Sequence, residues 1–290
     1  MSDGNSVINL GDLAKPATVL IEKVSNAVGV LYEPRKIKNL AGAEAEAEKI
    51  KALVRIELNE IQQRGIERLV HQEARKQENI ESITAQASTA LPPDAKTEDL
   101  EEDWVAHFFD KCNKVSDEQM QSLWSSLLAG EATKPGTYSK RTVDFIASMD
   151  KKDADLFTNF CQFVWKIGGT TPLIFDESDE TYTKHGINFT TLKHLDSIGL
   201  ISFESTSGYR KLGFPKKVVI SYYDLWTLVE FSKEKDNEMK TGKVLLTQAG
   251  KELVTICGAK KNQEFYEYVI AEISKQGIIL SSVLPNNRFS

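Results

Sequence analysis

EEDWVAHFFDKCNKVSDEQMQSLWSSLLAGEATKPGTYSKRTVDFIASM, residues 101–149, is the stretch whose reading decides the fold. Three short helices can be read in it. In the first, Trp104 and Phe108 fall one turn apart, Val105 and Phe109 do the same, and Cys112 extends the Trp104 row. In the second, Ser116 stands as N-cap with Gln119 three residues on, the capping-box spacing. Met120, Leu123, Trp124, Leu127 and Leu128 then mark an apolar face. Gly130 occupies the place of a C-terminal glycine, and Pro135-Gly136 signals a turn. Ser139 can cap the third helix, striped by Val143, Ile146 and Met149. The aromatic content of this segment predicts a tightly packed helical core.

Outward from this block, the preceding chain is dominated by helix formers. Asp12 can cap a helix on which Ala17, Leu20, Ile21, Val24, Val28 and Leu31 share one face. That stripe can pack on its own domain, on a copy of itself, or in a membrane interface, although few cations flank it for the last role. Glu33-Pro34 ends the helix, because the residue before proline is pushed out of the helical region. From Arg35 to about Glu81 the composition favours one long helix. Glu60–Arg64 and Glu73–Lys76 sit on adjacent turns of it. Its apolar stripe is thin and holds no clean heptad: Ile37, Leu40, Ile50, Leu53, Val54, Ile61 and Leu69, with Ile56, Ile66 and Val70 off the line. A helix with so little to bury alone calls for a partner. Residues 1–84 are therefore expected to form an oligomerisation arm, with Leu20, Ile21, Val24, Val28, Leu31, Ile50, Val54 and Ile61 at its interface. Residues 85–100, with Pro92-Pro93, read as a linker.

Downstream, Asp150 to Asp153 opens a helix carrying Phe157, Phe160, Cys161, Val164 and Trp165, closed by Gly168-Gly169. The central bundle is thus expected over residues 101–169. From residue 170 the pattern turns mixed. A helix starts at Asn188 or Thr190 with Leu192, Leu195 and Ile198 inward. Leu200–Phe203 reads as a strand, Ser205–Gly213 as a turn-rich tip and Val218–Tyr223 as a second strand. Residues 243–257 read as a strand, a Thr247 cap and a helix; a helix with Phe265, Val269 and Ile273 and a strand over Ile278–Leu284 follow. This order is similar to winged-helix modules. The expected fold is mainly α with an α+β C-terminal part: helical arm, helical bundle and a winged-helix-like domain over residues 170–290.

The run Trp104 to Phe109, then Val115 to Glu118, Leu123-Trp124, Leu128 to Glu131, Pro135-Gly136 and Ser139 to Arg141, resembles an uncharacterised bacterial family known mainly as a domain of unknown function. The resemblance extends to Lys15-Pro16-Ala17 and Tyr32-Glu33-Pro34. More distantly, the central helices are similar to the abortive-infection alpha proteins. The resemblance implies a theme, defence against phage, and no established catalytic residue.

Composition excludes several classes. At 290 residues, 41% hydrophobic and 27% charged, the chain has the profile of a soluble protein with room for two cores. Its net charge of −6 offers no general attraction to nucleic acid or anionic lipid. No run of about 18 apolar residues occurs, and the opening MSDGNSVINLGDLAK has no basic start or apolar core of a signal peptide. The 3 cysteines (Cys112, Cys161, Cys257) lie far apart, which fits a reducing cytoplasm.

The 4 histidines have no metal-ligand spacing, and phosphate-cradling and nucleophile-elbow motifs are absent, so no cofactor, metal or catalytic residue is expected. Glu131 and Arg141 flank the Pro-Gly turn and are read as a structural clamp. Arg210, Lys211, Lys216 and Lys217 are the candidates for nucleic-acid contact, but the helix at 188–198 is poor in cations. The leading expectation is a non-enzymatic, self-associating scaffold, sensor or effector of phage defence, partnered by itself and by another defence or phage protein. A DNA-binding regulator is the alternative, and an enzyme with an unrecognised site comes third.

Overall fold

The computed structural model describes residues 14–29 and 60–282. They divide into two compact units, one ending at Ala147 and the other beginning at Ser148. This division falls before the Asp150 helix, where the sequence reading ran the bundle on to residue 169.

The first unit is all helical. Its described elements are α1 (Lys15–Val28), α2 (Glu60–Ala90), a 3-10 turn (Thr97–Asp99), α3 (Glu102–Cys112), α4 (Glu118–Thr133) and α5 (Lys140–Ala147). Helix α1 packs on α3 and α2, and the C-terminal part of α2 lies along α4. Trp104, Val105, Phe108, Phe109 and Cys112 of α3 are all buried, as their periodicity predicts. Phe108 stacks on Trp104 at 5.2 Å between centroids and meets Trp124 of α4 edge-on at 5.2 Å. Such pairs add about 0.5–1.5 kcal/mol beyond the area they bury.

Three local expectations are corrected here. The N-cap of α4 is Asp117, whose carboxylate accepts from the Gln119 and Met120 amides, because Ser116 is drawn into contacts with α2. Gly130 does not end α4, which runs on to Thr133. A Cβ there would stand 2.7 Å from the Tyr138 ring, so the glycine serves close approach and not a helix stop. Residues 85–100 are not a free linker: α2 continues to Ala90 before Pro92-Pro93 stops it, and Ala87, Ser88, Thr97 and Leu100 are buried. The Lys96 amide also donates to the Thr133 carbonyl at 3.2 Å.

The second unit is α+β. Helix α6 (Lys151–Cys161) leads into β1 (Val164–Lys166) and β2 (Thr170–Pro172). Val164 and Trp165 therefore leave the helix predicted for them, and Gly168-Gly169, both at positive φ, make the hairpin turn. Next come α7 (Glu180–Thr183), α8 (Phe189–Ser197) and β3 (Ile201–Phe203). They are followed by β4 (Tyr209–Phe214), β5 (Lys217–Tyr222), β6 (Leu225–Glu230), β7 (Asn237–Gly242) and β8 (Val244–Leu246). The unit finishes with α9 (Gln248–Leu253), α10 (Gln263–Ser274) and β9 (Ile279–Ser282). The turn-rich tip read over Ser205–Gly213 is mostly strand β4.

The strands form a five-stranded antiparallel sheet, β2-β1-β5-β6-β9, and two separate pairs, β3-β8 and β4-β7. Strand β3 meets β8 in the register Ile201 to Leu246, so residues 204–243 are one long excursion between paired strands. Asn188 caps α8 through the Thr191 amide and Thr247 caps α9 through the Gly250 amide. The core stacks Trp165 of β1 on Tyr266 of α10 at 5.4 Å and on Tyr222 of β5 at 5.2 Å. Gly242 (φ +97°) lets β7 approach the Ile174 carbonyl, which an added Cβ would meet at 2.1 Å.

Candidate functional site

Helix α2 holds the clearest functional feature of the first unit. Its 31 residues extend about 46 Å at 1.5 Å per residue. Its buried residues begin only at Asn79: Asn79, Ile80, Ile83, Thr84, Ala87 and Ser88. Upstream, Ile61, Leu69 and Val70 are 73%, 56% and 50% exposed, and Ile66 is exposed as well. At 3.6 residues per turn these four lie on the same half of the helix as the buried set. One apolar face is thus covered in its C-terminal half and bare in its N-terminal half. Over residues 60–78, Glu60, Glu67, Glu73 and Glu78 are balanced by Arg64, Arg68, Arg75 and Lys76.

Where coverage begins, a polar network ties α2 to α4. Gln121 donates to the Asn79 side-chain oxygen at 3.0 Å and to the Val115 carbonyl at 2.8 Å. The Asn79 amide donates to the Asn113 carbonyl at 2.9 Å, and Ser82 donates to Gln121 at 2.8 Å. Ser116 donates to Asn79 at 3.2 Å and accepts from Arg75 at 3.0 Å. Polar side chains buried in this way fix one register between the helices.

The interface proposed from sequence divides sharply. Leu20, Ile21 and Val24 are buried in the first unit's own core, and Val28 is half-buried at the end of α1. Leu20, Ile21 and Val24 are therefore core positions of the first unit. Leu31, Ile50 and Val54 lie outside the described residues. Ile61 stands on the bare half of α2, joined there by Ile66, Leu69 and Val70, which a strict heptad reading set aside.

Glu131 does hold the Pro135-Gly136 turn, but through the backbone. Its two carboxylate oxygens accept from the Gly136 amide at 2.6 Å and the Tyr138 amide at 2.7 Å. Burial pushes its pKa above the ordinary value, against the lowering effect of these amides. Arg141 lies exposed on α5, so the pairing expected between the two is replaced by amide capture.

In the second unit a cavity of about 530 Å³ is lined by Thr158, Gln162, Lys184, His185, Lys261 and Asn262, among others. Asn262 donates to Gln162 at 2.9 Å and lies 3.1 Å from His185 Nε2, while its own amide donates to the Tyr222 hydroxyl at 2.9 Å. Burial, with Lys184 adding to it, lowers the His185 pKa and keeps the ring a neutral acceptor for Asn262. Lys184 pairs with Glu264, and Lys261 with Asp224 at 2.8 Å. These groups are spent on one another and close the junction of α6, α7 and α10. Among the described residues no group of three metal-binding side chains occurs, and no helix is long and apolar enough to cross a membrane.

A family model described as "Protein of unknown function (DUF2806)" matches residues 63–270. The chain belongs to this family. The DUF2806 match takes in most of α2, including Ile66, Leu69 and Val70, and runs through both units into α10. No curated protein and no solved structure matches the chain.

Within the DUF2806 region, the four basic residues singled out from sequence are all engaged internally. Arg210 pairs with Glu238 at 3.1 Å across β4-β7, and Lys211 donates to the Ile167 carbonyl. Lys216 pairs with Glu234 at 2.7 Å, and Lys217 lies 3.3 Å from Glu230 across β5-β6. Burial lowers the Lys211 pKa, and the Glu234 hydrogen bond raises that of Lys216. Arg210 and Lys211 lie on β4 and Lys217 on β5 of a different sheet, with Lys216 in the bend between them.

Proposed function

We propose that this chain is a non-enzymatic, self-associating protein of bacterial phage defence, acting as a scaffold, sensor or effector of the abortive-infection kind. The observation that carries self-association is the bare half of the α2 face. Ile61, Ile66, Leu69 and Val70 continue a stripe that the fold buries elsewhere, on a segment whose charges sum to zero. A balanced segment suits a second copy of itself, since opposite signs can meet across the pair and no net repulsion opposes it. It gives little attraction to a phosphate backbone. The phage-defence theme rests on the similarity of residues 104–141 to abortive-infection alpha proteins, and the partner beyond a second copy is a defence or phage protein.

The order α8, β3, excursion, β8, α9 supports a winged-helix-like reading of the second unit, with residues 204–243 in the place of a wing. The internal pairing of Arg210, Lys211, Lys216 and Lys217 favours a protein-binding or supporting role for it over DNA contact. Light scattering on the full chain is expected to give more than one subunit, and Ile61→Glu with Leu69→Glu to give a folded monomer that has lost protection against phage. A wild-type monomer at micromolar concentration overturns self-association. Nanomolar, competitor-resistant duplex binding that is lost on changing the four basic residues to Ala favours a DNA-binding regulator instead.

A further inference from the structure

Strands β4 and β7 set two cations face to face. Arg210 and Lys240 are direct cross-strand partners in the β4-β7 register, and both line one cavity of about 430 Å³ in the second unit. Like charges directly opposite one another on adjacent strands destabilise a sheet. Glu238 offsets part of this by pairing with Arg210 at 3.1 Å, although both side chains stay half exposed. Among the described residues no ion pair engages the Lys240 ammonium. A third cation arrives from the end of α10. Gln276 accepts from the Lys240 amide at 2.9 Å and donates to the Lys240 carbonyl at 3.3 Å. This docks the helix end on β7 and brings Lys275 to the same cavity, where it pairs with Glu272 at 2.5 Å.

Glu272 is the one carboxylate on a lining that also carries Lys243. Lys243 is the better-sheltered cation and stays tied to Glu177 at 2.5 Å. The exposed pairs of Arg210 and Lys275 are weak and give little resistance to a more highly charged anion. The rest of the lining supplies hydroxyls and rings. Thr206 and Ser207 are exposed at the rim, on a loop that Gly208 (φ +64°) holds against β7. An added Cβ on Gly208 would stand 2.9 Å from the Gly242 carbonyl oxygen. Phe175 and Tyr209 are the aromatic residues of the lining. The Phe175 amide donates to the Tyr182 hydroxyl at 3.3 Å, and its ring lies 6.3 Å from that of Tyr268. The volume falls within the range of about 300–1,000 Å³ usual for small-molecule sites.

We propose that this cavity binds a nucleotide, its phosphates meeting Lys240, Arg210 and Lys275 and its base resting against Phe175. Phosphate oxygens placed between Arg210 and Lys240 relieve the opposed charges of the β4-β7 pair, so binding also stabilises that pair. The hydroxyls of Thr206 and Ser207 are donors to the remaining oxygens. A flat base suits an aromatic wall, because rings stack whatever their pattern of polar groups. One phosphate chain needs only a few converging cations. The lack of a broad basic surface, which argues against duplex contact, therefore does not oppose it. The site lies wholly within the second unit and stands independently of self-association through α2.

The test is calorimetric titration of the full-length protein with ATP in EDTA, at about 0.15 M salt so that loose surface attraction is screened. Saturable binding is expected, at least about tenfold tighter than that of adenosine or of inorganic tripolyphosphate. Lys240→Glu and Lys275→Glu are each expected to weaken ATP at least about tenfold with an unchanged circular dichroism spectrum. Should Lys240→Glu not fold, Lys240→Gln reports the same weakening. Lys235→Glu, exposed and outside the cavity, is expected to leave binding unchanged. Phe175→Leu is expected to bring ATP down to the level of tripolyphosphate. ATP should also raise the melting temperature of the wild type and not that of Lys240→Glu. Absence of saturable ATP binding at millimolar concentration would overturn the proposal. So would adenosine or tripolyphosphate binding as tightly as ATP, or undiminished ATP binding by both lysine variants.

Discussion

The two halves of α2 share one helix, one face and one kind of residue, yet they live in different surroundings. From Asn79 to Ala90 the face is sealed against the rest of the first unit, with Ile83 and Ala87 fully buried and Asn79 locked to Gln121 and Asn113. From Glu60 to Glu78 the same face meets solvent. Helical propensity is similar in both halves, so propensity does not set the difference. Coverage does. A helix draws most of its stability from packing an apolar stripe and less from propensity. The bare half is carried by its covered continuation, which is why it can remain helical while presenting Ile61 and Leu69.

The strongest way to break this contrast is through the core that covers α2. Trp124→Ala is expected to destabilise the first unit by about 3–5 kcal/mol in denaturant unfolding, the usual cost of truncating a buried aromatic. Within α2 itself, Ile83→Ala is expected to cost about 2–5 kcal/mol. Leu69→Ala, on the same face, is expected to change it by less than about 0.5 kcal/mol in dilute protein. Equal effects at the two positions would erase the distinction between the halves.

Asn79 marks the border between them. Asn79→Ala leaves Gln121 and the Asn113 carbonyl short of partners, and an expected loss of about 1–3 kcal/mol follows from those buried groups. Hydrogen exchange should then show the covered half fraying toward the behaviour of the bare half. Unchanged protection beyond residue 79 would show that apolar burial alone sets the border.

The smallest effect is a slope with pH. Burial raises the folded-state pKa of Glu131 above its ordinary 4.5, so between the two values the folded chain holds a proton that the unfolded chain has lost. Stability of the first unit therefore falls as pH rises through that window. Glu131→Ala should flatten the slope, at some cost to stability from the orphaned Gly136 and Tyr138 amides. A slope that survives the substitution belongs to another group.

Much of the first unit was legible because helical periodicity reports burial directly. Trp104, Phe108, Trp124, Leu127, Val143 and Ile146 all lie where their spacing put them, and Asn188 and Thr247 cap the helices expected of them. Short-range signals failed where a distant residue competed for the same group. Ser116 was drawn to Asn79 and Arg75, Gly130 made room for Tyr138, and Val164-Trp165 were claimed by strand pairing with Thr171 and Pro172.

By itself the sequence determined that α1, α3, α4 and α5 of the first unit are helical, that the second mixes helix and strand, and that no standard catalytic motif is written in the chain. Tertiary structure alone decided which apolar stripe is spent. Leu20, Ile21 and Val24 on α1 and Ile61 and Leu69 on α2 have the same chemistry, and only packing against α3 and α4 separates core from free surface. The hydrogen bond from Thr158 on α6 to the Cys257 carbonyl after α9, at 3.1 Å, is of the same kind. A contact across so many residues depends on how α6 and the end of α9 close on one another, and no local pattern in the chain encodes that closure.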